Sequence, residues 1–173
     1  MKTVQVSHVT ETIRQICIEA NYVLSEDMKQ IFDRAAEQEK SVLGRQVLNQ
    51  LKENLKIAKQ DQIPICQDTG MAVVFLKIGQ EVHFEGGSLE EAVHEGVRQG
   101  YRDGYLRKSV VKDPIFRENT NDNTPAVIHY EIVSGDQVEI TLAPKGFGSE
   151  NMSRIFMLKP ADGIEGVKEA ILT

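Results

Sequence analysis

Three glycines spaced four apart, Gly96, Gly100 and Gly104, lie on the same stripe as Leu89, Ala92, Val93, Val97 and Tyr101, in a segment whose apolar residues recur with helical period. Ser88-Leu89-Glu90-Glu91 is a capping box that opens this helix, and the pattern runs to about Tyr105. Glycine costs a helix about 1 kcal/mol apiece relative to alanine. Three on one face therefore demand that another element approach the helix backbone, and only folds that pack this helix tightly satisfy the chain. His94, on the same helix, reads as a surface or packing residue.

A second constraint is the heptapeptide Pro64-Ile65-Cys66-Gln67-Asp68-Thr69-Gly70. Proline keeps Ile63 out of helical geometry and Gly70 can take a positive φ, so a thiol, an amide, a carboxylate and a hydroxyl crowd one bend. Two explanations stand at this point: a reactive bend, or a capped helix-to-strand loop with Cys66 as a small hydrophobe.

Before the bend the chain is helical. Val9, Ile13, Ile16, Cys17 and Ala20 line one face of a helix over 9–24, which makes Cys17 a core position. Ser25-Glu26-Asp27 opens a second helix, and Leu43, Val47, Leu51, Leu55 and Ala58 mark a third from Ser41 to Asp61. After the bend, Met71 to Ile78 reads as a buried strand, with Val82-His83-Phe84 as a short partner. Residues 126–133 and 137–143 flank Ser134-Gly135-Asp136 and predict a hairpin, with His129 facing away from Ile128 and Tyr130. The expected class is α+β: a helical part over 1–62, then an α/β part over 63–173 that carries the motifs on a mainly antiparallel sheet with packed helices. The two parts read as one continuous domain.

Composition narrows function. A net charge of −6 argues against nucleic acid, and an anionic substrate would need locally placed cations. Two cysteines make no disulfide framework, no apolar run reaches membrane length, and the polar start is no signal peptide, so a cytoplasmic protein is expected. Arg107, Lys108 and Lys112 gather three cations just past the glycine helix, as a solvated run or as a carboxylate clamp at Arg107. Residues 119–125 read as a polar surface loop. Pro144 to Asn151 suits an anion, with glycines exposing N–H groups and Lys145, Ser149 and Asn151 adding donors; a tight surface turn is the alternative. His8, His83, His94 and His129 receive no role. Asp162-Gly163-Ile164-Glu165 starts a last helix that meets no stop signal before Thr173, so the chain is expected to be the front piece of a longer polypeptide.

Five blocks in order carry a family resemblance: Ile18-Glu19-Ala20-Asn21-Tyr22; Ile63 to Gly70; Gly104-Tyr105-Leu106-Arg107-Lys108-Ser109; Asn121-Asp122-Asn123-Thr124-Pro125-Ala126; and Lys145 to Ser153. The chain resembles, over essentially its whole length, the alpha subunit or N-terminal catalytic region of the iron-sulfur hydro-lyases, class I fumarate hydratase and L-tartrate dehydratase. The resemblance implies reversible hydration of a C4 dicarboxylate at a 4Fe-4S cluster held by three cysteines, with one iron left open as a Lewis acid. It makes Cys66 the first cluster ligand. Gln67 and Asp68 become substrate contacts, with Asp68 the proton donor to the departing oxygen, and Arg107 becomes a carboxylate clamp. Gly146, Phe147, Gly148, Ser149 and Asn151 become the cradle beside substrate and cluster. The other two cysteines fall beyond residue 173, so the resemblance also implies that the remainder of the alpha region, with a beta subunit or C-terminal domain, completes a homo- or hetero-oligomeric site. Two other hypotheses compete: a non-catalytic fragment or binding module that needs partner chains, and an enzyme using Cys66 as a histidine-activated nucleophile.

Overall fold

The computed structural model describes residues 1–148 and 152–173. In chain order the elements are β1 (Lys2–Gln5), α1 (Val6–Tyr22), α2 (Glu26–Gln38), α3 (Val42–Asp61), β2 (Met71–Gly79), β3 (Val82–Glu85), α4 (Leu89–Asp103), β4 (Val127–Val133), β5 (Val138–Lys145) and α5 (Gly163–Leu172). The class is α+β, with the helical part ahead of the main sheet. Ser41 and Ser88 cap α3 and α4 by accepting from the N–H groups of Gly44 and Glu91. The first four residues after Met1, to which the sequence assigns no element, form β1, which runs parallel to β3; the short strand at 82–85 thus pairs with the N-terminus and not with β2.

The glycine stripe finds its partner in α1. A Cβ at Gly96 would lie 2.6 Å from the Ile13 Cβ and from the Thr10 carbonyl oxygen. One at Gly100 would lie 2.6 Å from the Cys17 Cβ, and one at Gly104 would lie 2.9 Å from the Ile18 Cγ1. Successive glycines meet successively later residues of α1, so the two helices run alongside in the same sense. The seam is sealed at both ends by hydroxyl donors: Thr10 Oγ1 to the Ala92 carbonyl at 2.9 Å, and Tyr22 OH to the Gly104 carbonyl at 2.8 Å.

Against this helix pair packs one face of the sheet. Ala72, Val74, Leu76 and Ile78 of β2 are buried with Val9, Ile13, Cys17, Val93, Val97 and Tyr101. The expected hairpin is corrected by the pairing. β2 lies between β4 and β5, parallel to β4 and antiparallel to β5, so the sheet is mixed rather than mainly antiparallel. The reason lies in the sequences. β2 is the most continuously apolar strand and takes the position hydrogen-bonded on both sides, while β4 and β5 alternate with charged or polar residues that suit edges. The 134–137 turn folds over the end of β2, with the Gly79 N–H donating to the Gln137 carbonyl, Gln80 to Val133 and Glu81 to Gly135. His129 faces away from the helix pair, as expected, and stacks on Phe75 with ring centroids 4.9 Å apart.

α2 and α3 pack on each other, and Leu43 and Val47 of the predicted α3 stripe are exposed while Ala58 is buried. Among the described residues no helix is long and apolar enough to cross a membrane.

The seam yields a test. Replacing Gly100 with alanine gains about 1 kcal/mol of helix propensity but drives a methyl into the Cys17 side chain and the Arg14 backbone. The expected net effect is a destabilisation of about 1–2 kcal/mol, read as a lower urea midpoint; an unchanged or raised midpoint would show that the seam is not tight.

Candidate active site

The helical part hands over to the sheet at Gln62, which caps α3 in a left-handed conformation (φ 54°). The bend that follows is held from all sides. The Ile65 N–H donates to the Asn21 carbonyl at 2.8 Å, and Asn54 Nδ2 donates to the Ile65 carbonyl at 2.9 Å. Thr69 is buried and its hydroxyl donates to the Arg107 carbonyl at 3.0 Å. Gly70 has φ 65°, and a Cβ there would lie 2.2 Å from the Lys145 carbonyl oxygen, so the residue must be glycine on two counts.

Two buried side chains fix the carbonyls of this turn. Tyr101 OH donates to the Thr69 and Gly70 carbonyls at 2.8 and 3.2 Å, and burial pushes its pKa up, so it remains a donor. Asn123, fully buried, donates Nδ2 to the Gly70 carbonyl at 3.0 Å and accepts at Oδ1 from the Ser109 and Val110 N–H groups at 2.8 and 3.1 Å. One amide thus joins the mouth of β2 to the cationic loop after α4. The loop 119–125, expected at the surface, is in part a structural bracket.

The Asp68 carboxylate accepts at Oδ2 from the N–H groups of Phe147 and Gly148, at 3.0 and 3.2 Å. The Gly148 N–H leads in holding its pKa below the usual aspartate value; desolvation opposes it, and Phe147, Gly70 and the charge of Arg107 reinforce it. Asp68 is therefore an ionised acceptor near neutral pH. A Cβ at Gly146 would stand 3.0 Å from Asp68 Oδ2, so the turn is shaped to the carboxylate.

Of the sequence-predicted site residues, Gln67, Asp68, Arg107, Phe147 and Gly148 line one cleft of about 570 Å³. Cys66 is exposed immediately before them, with its Sγ accepting from the Asp68 N–H at 3.5 Å. Ser149 and Asn151 lie outside the described residues. The cleft also takes in Lys108, Arg117 and Asn119. Arg117 was not singled out by the sequence, because a lone arginine in a polar loop carries no periodic signal; only the return of the chain from Val111 to Asn119 brings it back to the site. Among the described residues the cleft unites three cations with one carboxylate, in a chain of net charge −6. A second cleft of about 520 Å³, between residues 156–158 and α5, has Asp162, Glu165 and Glu169 as its charged lining and is unsuited to an anion.

Fold and cleft together define an α+β chain with a thiol, a carboxylate and a guanidinium gathered around an anion-sized opening. The family model described as fumarate hydratase (Fumerase) matches residues 10–173, and the chain belongs to this family. It is 39% identical over 170 residues to a provisionally named L(+)-tartrate dehydratase subunit alpha of Methanocaldococcus jannaschii, a match covering 95% of this chain and 59% of that protein. It is 33% identical over 151 residues to the aerobic class I fumarate hydratase of Escherichia coli K12, covering 86% of this chain and 27% of the relative. The anaerobic enzyme of the same strain is 33% identical over 130 residues, covering 74% and 24%. The chain therefore spans about three-fifths of the tartrate dehydratase subunit and about a quarter of the fumarate hydratases.

The bracket is open to a pH test through Asp122. Burial acts to raise the pKa of this carboxyl, but the Thr124 N–H and hydroxyl and the Arg98 guanidinium outweigh it, lowering it from the ordinary 3.8 to about 2. A depressed folded-state pKa contributes stability that is fully present above the unfolded value and is lost as pH falls through the folded one. Asp122→Asn is expected to be less stable than the parent at neutral pH, with the gap closing between about pH 4 and pH 2 in urea titrations. A gap that stayed constant through that window would rule the linkage out.

Proposed function

We propose that the chain is the alpha-type part of an iron-sulfur hydro-lyase that reversibly hydrates a C4 dicarboxylate, interconverting fumarate and malate or converting tartrate to oxaloacetate. The observation that carries this reading is the meeting of Gln67, Asp68 and Arg107 at one cleft beside the exposed thiol of Cys66. Membership of the fumarate hydratase family supports it.

A 4Fe-4S cluster needs thiolates that can reach the cleft. Cys66 fits: it is exposed, and its sulfur lies beside the cleft, accepting from the Asp68 N–H. Cys17 does not fit, because it is sealed in the helix seam and desolvation pushes its thiol up to about 12. In this reading the remaining thiolates come from residues outside these 173, and further acid-base groups come from a beta subunit or C-terminal domain. When bound, the cluster supplies Lewis acidity that makes hydroxide a better leaving group.

The chain's own residues do the rest. The Arg107 guanidinium offers a planar fork to one carboxylate of the diacid, and the Gln67 amide adds a donor. Asp68, ionised and held by the Phe147 and Gly148 N–H groups, takes a proton from the water that adds to the double bond; in dehydration it returns that proton to the departing oxygen. Its lowered pKa favours the base form near neutral pH, so the donor role inferred from the sequence belongs to the dehydration direction. The two N–H groups also keep the carboxylate from swinging out of line.

The complete enzyme, reconstituted without oxygen, is expected to show cluster absorbance and to consume fumarate or tartrate. Cys66→Ser should remove both signals. Asp68→Asn should keep the absorbance while lowering kcat by about 10²- to 10⁴-fold. A cluster that survives intact in Cys66→Ser would overturn the assignment.

A further inference from the structure

The cationic loop beyond α4 is more ordered than its composition suggests. Val111 bridges Asn119, the Lys112 N–H donates to the Glu118 carbonyl at 2.8 Å, and the Lys112 ammonium pairs with the Glu118 carboxylate. Asp113 Oδ1 accepts from the Ile115 and Phe116 N–H groups at 2.9 and 2.8 Å, and the Arg117 N–H donates to the Asp113 carbonyl at 3.2 Å. The base of the loop is fastened to the site, because Asn119 Nδ2 donates to the Lys108 carbonyl at 2.9 Å and Thr120 bonds to Val110. Arg117 stands at the turn with φ 56° and lines the same cleft as Asp68 and Arg107.

Several cations elsewhere in the chain are paired with acids. Arg14, Arg98 and Arg102 are tied to carboxylates, and Lys112 is neutralised by Glu118. Among the described residues neither Arg107 nor Arg117 forms a salt bridge with a carboxylate, although acids outnumber bases 26 to 20 in the chain. Two guanidiniums held on separately anchored segments, facing one opening of about 570 Å³, match two carboxylates of one small molecule better than a single one.

We infer that Arg117 is the second carboxylate contact of this cleft, the residue that selects a dianion over a monoanion; the inference rests on the dicarboxylate reading above and adds the residue that enforces it. Arg107 takes one carboxylate, and Arg117 takes the other. Arg117 acts in binding, so its loss falls on KM rather than on kcat.

The test uses the assembled, oxygen-free enzyme, with fumarate kinetics and calorimetric titration of succinate against butyrate, a dianion and a monoanion of equal chain length. The parent is expected to prefer succinate. Arg117→Ala should raise the KM for fumarate by about 10- to 100-fold, change kcat far less, and erase the succinate preference; Arg117→Lys should restore part of it. The Arg117 side chain is exposed, so circular dichroism should show both variants folded. An active Arg117→Ala with unchanged KM and an intact succinate preference overturns this inference and leaves the hydro-lyase reading standing. A parent that loses its succinate preference on Arg117→Ala yet hydrates no C4 diacid leaves the dianion site standing and overturns the hydro-lyase reading. A parent without any succinate preference overturns this inference too, while the hydro-lyase reading stands or falls on cluster absorbance and substrate consumption.

Discussion

The buried amide of Asn123 is the interaction on which the site depends. It donates to the mouth of β2 and accepts two N–H groups from the cationic loop, and its side chain is fully buried. Each buried polar group left without its partner costs about 1–3 kcal/mol, so the frame is effectively all-or-none. Tyr101 reinforces the same carbonyls, and the missing side chain of Gly70 lets the Lys145 backbone come into contact. Hydrogen bonds thereby connect all five sequence blocks: Asn21 and Tyr22 through Ile65 and Gly104, Thr69 through Arg107, Asn123 through Gly70, and Phe147 and Gly148 through Asp68.

Charge is distributed to the same end. An acidic molecule repels diacids in bulk, and only cations concentrated in a concave, partly desolvated place reverse the sign locally. The cleft beside Asp68 does so, whereas the opening near α5 keeps the acidic character of the whole chain. Asp68 keeps a negative charge amid those cations because backbone N–H groups, rather than a neighbouring side chain, supply most of its stabilisation.

How much the sequence disclosed follows from which physical signals are local. Helices α1 to α4 and the tight face of α4 were legible because burial imprints a 3.6-residue period and glycine on a buried stripe has few other uses. The existence of β2, β4 and β5 was legible too. Their order was not, since alternation records which face a side chain takes and is silent on which neighbour a strand chooses. The Asn-rich loop misled for a related reason: Asn123 has the composition of a surface turn, and only the three-dimensional path shows that its amide is enclosed. Of the candidate site, Gln67, Asp68 and Arg107 could be named from local chemistry and family resemblance, whereas Arg117 enters through loop geometry that no spacing encodes.

The glycine seam between α1 and α4 has a consequence for inheritance of precision. Asn21 and Tyr22 brace the site from the far end of α1, while Tyr101 and Arg107 reach it from the far end of α4. The bare backbone contact at Gly96, Gly100 and Gly104 acts as a key in a slot, denying the helices axial slip and rotation. A lesion placed midway along that seam, remote from the cleft, would misalign both braces at once and present itself as a defect of the cleft.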